Sequence, residues 1–115
     1  TSVAHDSHNI ITVGCNDDDI AVAVNAIKDS KGGIAVVENG KIKALLELPI
    51  AGLMSDEPLT TVNEKLENAK LSAYELGADK SIDPFMTLSF LSLPVIPSLR
   101  ITTKGVFDAE NWKML

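Results

Sequence analysis

Residues 9–48 read NIITVGCNDDDIAVAVNAIKDSKGGIAVVENGKIKALLEL, and the change of hydrophobic period along them decides the fold class. Ile10, Ile11, Thr12 and Val13 are β-branched and nearly all apolar, as in a strand covered on both faces, so a strand is expected from Asn9 to Cys15. Gly14 loosens the chain, and the period then becomes helical. Ile20, Ala23, Val24 and Ile27 recur at i, i+3, i+4 and i+7, one face of a helix running to about Asp29. Asn16 is a good N-cap, and Asp17, Asp18 and Asp19 place negative charge where the macrodipole and the free N–H groups favour it. Asn16 followed by Asp19 also has the spacing of a capping box. Lys28 and Lys31 suit the C-terminus, and Gly32-Gly33 ends the helix. Ile34 to Glu38 and Lys41 to Leu48 then read as a β-hairpin, because Asn39-Gly40 tolerates the positive φ of a type I′ turn. If the first strand lies parallel to the second, the crossover between them should be right-handed.

Outward from this stretch the signals alternate again. Pro49 stops the hairpin, and Pro49 to Pro58 is a loop, apolar at first and acidic at its end. A second helix is expected from about Leu59 to Leu76, with Val62, Leu66, Ala69, Ala73 and Leu76 on one face and Gly77 as its stop. Lys65, Glu67, Asn68 and Lys70 form the solvated face. Asp83-Pro84 reads as an N-cap with Pro at the first helical position. Phe85 to Leu91 suits either a short helix that ends before Pro94 or a buried strand. Leu99 to Thr103 looks like a strand, Gly105 a turn, Val106-Phe107 a return, and Glu110 to Leu115 a tail. The expected fold is α/β, a mixed β-sheet of about five or six strands with two main helices and one short helix.

At 115 residues the chain is one domain, 1–115, long enough to bury a core without disulfides or metal. Aromatic residues are only 4%, so aliphatic side chains must fill that core. A net charge of −6, one arginine (Arg100) and scattered lysines argue against nucleic acid and against an anionic membrane surface. Cys15 is alone, which excludes a disulfide framework and a cysteine-based metal site. At the end of an apolar run it is expected to be a buried, inert thiol. No apolar stretch is long enough to cross a bilayer and no signal peptide opens the chain, so a cytoplasmic location is expected. The chain starts at Thr1-Ser2-Val3-Ala4-His5 and enters a motif at once, as a piece of a larger polypeptide would.

That motif is the main chemical feature. His5-Asp6-Ser7-His8-Asn9 gathers both histidines beside a carboxylate and an amide, just before an apolar strand. Such a cluster suits a small polar ligand or the orientation of a catalytic group. It equally suits a polar turn whose side chains bond local backbone. A metal site would need further ligands from elsewhere, because His-x-x-His on a strand entry points its rings to opposite faces. Met54-Ser55-Asp56 lies on a loop after a strand, where binding residues often sit, but Ser55 or Asp56 also suits a helix cap. Phe85-Met86 and Phe90 form an apolar cluster, either core or a surface that packs on another domain. Asp17-Asp18-Asp19 is a helix start rather than a cation site. There is no dinucleotide fingerprint, no P-loop and no Gly-x-Ser-x-Gly elbow.

Five segments taken together resemble the C-terminal domain of adenine deaminase. They are Ser2 to Ile10, Pro49 to Asp56, Asp83 to Leu91, Leu93 to Pro97, and Thr103 to Asp108. The resemblance implies an enzyme of the amidohydrolase superfamily, active in purine salvage and adenine catabolism. It implies an N-terminal (β/α)₈ barrel holding manganese or iron, which supplies a nucleophilic water at neutral pH. The reaction implied is hydrolysis of adenine to hypoxanthine and ammonia. On this reading the barrel, the metal and the catalytic residues lie outside residues 1–115, the piece alone is inactive, and the full enzyme is a homo-oligomer. His5, Asp6, Ser7, His8 and Asn9 would then face the barrel and help shape the adenine pocket; the competing reading is a purely structural or oligomerisation module, or a stand-alone small-molecule-binding domain. Met54, Ser55, Asp56, Phe85 and Met86 would pack on the barrel or a neighbouring subunit.

Overall fold

The computed structural model describes residues 1–5 and 8–115. The elements in chain order are α1 (Asp17–Asp29), β1 (Gly33–Glu38), β2 (Lys41–Glu47), α2 (Leu59–Glu75), α3 (Pro84–Ser89), β3 (Leu99–Thr102), β4 (Gly105–Asp108) and β5 (Lys113–Met114). The α/β class and the hairpin at Asn39-Gly40 are as the sequence implies.

The start of α1 explains how the hairpin is held. The Asn16 side chain accepts the Asp19 N–H at 2.8 Å and donates to the Asp19 carboxylate at 3.0 Å. That carboxylate also accepts the N–H groups of Gly40, at 2.6 Å, and Asn39, at 3.2 Å. One side chain therefore fixes both the first turn of the helix and the tip of the hairpin.

β1 and β2 present Ile34, Val36, Ala44 and Leu46 to one side, where they form the core with Leu48 and Ala69 of α2. Val62, Leu66, Ala73 and Phe85 pack against the same cluster, so α2 and α3 cover this face. α1 also lies against β1 and β2, and its buried residue, Ile27, is outside the cluster. Strand side chains alternate between faces, so α1 covers the other one. The result is three layers with the hairpin in the middle.

The expected single mixed sheet is corrected. Among the described residues the strands form two separate antiparallel sheets, β1-β2 and β3-β4-β5. The expected strand Asn9–Cys15 joins neither. It is extended, but its backbone partner is Thr1, by bonds in both directions at 2.9 Å between Thr1 and Ile11. Thr1 and Ser2 stand between this segment and β1, so no parallel pair forms and no crossover arises. Cys15 is exposed, not buried, because it lies at the bend that leads into the Asn16 cap. Phe85–Leu91, open between helix and strand, begins as the helix α3. The Asp83 carboxylate caps it by accepting the N–H groups of Phe85 and Met86.

Candidate functional site

The N-terminal stretch folds back on itself. Thr1 pairs with Ile11, and the His8 N–H donates to the Ala4 carbonyl at 2.9 Å, so Ala4 and His8 meet where the stretch folds back. His8 has φ +49°, a left-handed conformation that a histidine tolerates better than a β-branched residue. The tip rests on the end of α3. The His5 N–H donates to the Ser89 carbonyl at 2.9 Å, and the His5 ring stacks on Phe90 with centroids 4.9 Å apart. His5 and His8 are exposed and Asn9 is half-buried. Asp6 and Ser7, named with them from the sequence, lie outside the described residues.

Two of the sequence candidates are thereby brought together: the His5–Asn9 motif and the Phe85–Phe90 segment. Phe85 turns inward against the core, whereas Met86 is 56% exposed. The Met54–Asp56 candidates are held elsewhere. Ile50 and Met54 exchange backbone bonds at 3.0 and 3.1 Å across a turn in which Ala51 and Gly52 both have positive φ. Met54 is left 57% exposed. Ser55 does not cap α2, whose N-cap is Pro58 without a side-chain bond; the Ser55 hydroxyl accepts the Glu57 N–H instead. Among the described residues no hydrogen bond, ion pair or ring contact joins His5, His8 or Asn9 to Met54, Ser55 or Asp56.

Ser2 links the two regions, a role the sequence did not reveal. Its hydroxyl donates to Gly52 O at 2.6 Å and accepts from Gly33 N at 2.8 Å, while its own N–H donates to Gly33 O at 2.9 Å. The signal that could have found it is the pairing of Gly32-Gly33 with Ala51-Gly52, two tight spots that need a small polar partner. Thr1 beside it is buried, and burial pushes its amino group down to about 6.

Among the described residues no three His, Cys, Asp or Glu side chains gather closely enough to hold a metal ion. Among the same residues no helix is long and apolar enough to cross a membrane.

What the arrangement offers is a short polar tip seated on an aromatic ring, with one exposed methionine, Met86, on α3 and another, Met54, on the turn after β2. Comparison with known proteins gives this geometry a context. The family described as the adenine deaminase C-terminal domain matches residues 1–113. The chain is 50% identical over 115 residues to an adenine deaminase of Bacillus pumilus, covering 100% of this chain and 20% of that protein. It is 56% identical over 110 residues to one from Desulfatibacillum aliphaticivorans, covering 96% and 19%. To one from Clostridium acetobutylicum it is 53% identical over 116 residues, covering 100% and 20%. The chain thus spans about a fifth of the length of these relatives.

Proposed function

The chain belongs to the family of adenine deaminase C-terminal domains, and from that premise we propose that it completes an enzyme hydrolysing adenine to hypoxanthine and ammonia. The proposed division of labour leaves the metal, manganese or iron, and the catalytic residues to the rest of the polypeptide. The domain's part is to support that catalytic barrel and to present the tip at His5–Asn9 towards the adenine pocket.

One observation carries this reading: His5 and His8, the two described titratable side chains of the tip, are left exposed. The His5 backbone and ring face anchor it to Ser89 and Phe90, and both histidines remain exposed. An exposed imidazole keeps its ring nitrogens within reach of a ligand. Met54 and Met86, 57% and 56% exposed, are the side chains proposed to contact the barrel or a neighbouring subunit. A homo-oligomeric, cytoplasmic enzyme of purine salvage is the setting proposed for it.

The test is ammonia release from adenine, measured side by side for the full-length polypeptide and for residues 1–115. Turnover by the former alone is expected. Turnover by residues 1–115 alone would overturn the division of labour.

A further inference from the structure

Beside β1 lies a slot of about 490 Å³, lined by Thr1 at one end. Ile20 and Ile27 of α1 bound it on one side, and Leu76 and Phe85 on the other. Its remaining walls are the edge of β1 at Ala35–Glu38 and the extended residues 11–15. The slot therefore occupies the sheet layer of the three-layer fold, not its outer surface.

The backbone on both of these walls is open. In an antiparallel pair, alternate residues turn their N–H and C=O groups towards the partner strand. Leu48 N donates to Gly32 O at 2.9 Å, which puts Gly32, Ile34 and Val36 in the set facing β2. Gly33 and Ala35 then point away from β2. Gly33 is served by Ser2, through the bonds described above. Ala35 is next along the same edge, and nothing among the described residues takes its place beside it. Opposite, no backbone bond joins residues 12–15 to β1 among the described residues.

Thr1 and Ser2 already behave as one residue pair of a central strand. Thr1 bonds Ile11 on one flank and Ser2 bonds Gly33 on the other. The slot continues that strand backwards from Thr1, between Thr12–Gly14 and Ala35–Val37, in the direction antiparallel to β1. Apart from Asn16 and Asp19 at the start of α1, its side walls are apolar in both helical layers, with Ile20, Ala23 and Ile27 facing Leu76, Phe85 and Leu88. A strand apolar on both faces suits it, as a central strand is.

We infer that this slot is the seat of a β-strand supplied by the stretch of the longer polypeptide that leads into Thr1. The strand joins β1 and residues 11–15 into one antiparallel sheet, in the order β2, β1, inserted strand, residues 11–15. The relatives supply the chain length: they are about five times longer than this chain. The inference rests on family membership and not on the role proposed for His5–Asn9, so either can fail without the other.

Hydrogen–deuterium exchange with residue-resolved mass spectrometry tests it, comparing residues 1–115 with the full-length polypeptide. Ile34 and Val36 report that the hairpin is intact in both. The Ala35 amide is expected to exchange at least about 100-fold more slowly in the full-length polypeptide. Replacing the residues before Thr1 by a Gly-Ser linker of equal length should restore fast exchange at Ala35 while Ile34 and Val36 stay protected. Equal exchange at Ala35 in the two polypeptides overturns the inference. Protection that survives the linker, or that appears in residues 1–115 only at high concentration, overturns it too, pointing to another part of the polypeptide or to a second copy.

Discussion

The Ser2 hydroxyl donates to the carbonyl of Gly52 across 2.6 Å, joining residues 50 positions apart in the chain. The same oxygen accepts from Gly33 N, so three segments meet at one buried side chain. Ser2→Ala leaves the buried Gly33 N–H and Gly52 C=O without that partner. A loss of about 1–3 kcal/mol is expected, read from urea unfolding. A loss of no more than about 0.3 kcal/mol would show that water replaces the hydroxyl.

Beside this junction the backbones touch. A Cβ on Gly32 would lie 2.3 Å from the Cα of Gly52, and Gly32 has φ +128°. Gly32→Ala should therefore cost about 3 kcal/mol or more, or prevent folding. Gly40 also has positive φ, at +74°, but its Cβ would meet nothing within 4 Å. Gly40→Ala should cost only about 1–2 kcal/mol, the strain of the conformation alone. Thermal unfolding of the two variants together separates close approach from backbone strain.

The amino group of Thr1 makes a pH prediction for the 115-residue chain. Burial lowers it from 8.0 to about 6, so between these values the unfolded chain holds the proton more tightly than the folded one. Stability must then rise as pH increases from about 6 to 8, by at most about 2–3 kcal/mol. Urea unfolding across this range is expected to show the rise, and acetylation of the N-terminus is expected to remove it. A rise that persists after acetylation assigns it to another group.

Asp19 gives an effect in acid. Its carboxyl is held below the usual value first by the Asn16 side chain, then by the Gly40 N–H. A lowered carboxylate stabilises the fold above its unfolded pKa of 3.8, and this is lost as pH falls through the folded value. The Asp19→Asn variant should lose less stability than the parent chain between pH 5 and about 2. Identical acid profiles would mean that the carboxylate's bonds to Asn39 and Gly40 carry no weight.

Much of this fold is legible because the signals are local. Asn16 capping, the Asn39-Gly40 turn, the Asp83-Pro84 start and the stripe Val62-Leu66-Ala69-Ala73 each depend on neighbours a few residues away. The sheet was not legible for the opposite reason. Ile10–Val13 carry the pattern of a covered strand, but whether a strand pairs depends on what lies beside it, and Thr1 and Ser2 occupy that position. Ser2 was missed because a serine bridging two glycine turns has no periodicity to announce it. The His5–Asn9 motif stood out by composition, and its seat on Ser89 and Phe90 could be known only once α3 was placed. The exposure of Cys15 shows the same limit, since an apolar run does not tell where its burial ends.

The role proposed for the His5–Asn9 tip, service to the adenine pocket of the full-length polypeptide, is open to direct test. The most direct measurement is kcat/KM for adenine in full-length His8→Ala and Asp6→Asn variants, with the thermal midpoint followed alongside. A fall of about tenfold or more in at least one variant, at an unchanged midpoint, is expected. Parent values of kcat/KM in both would contradict it and leave the tip a structural turn.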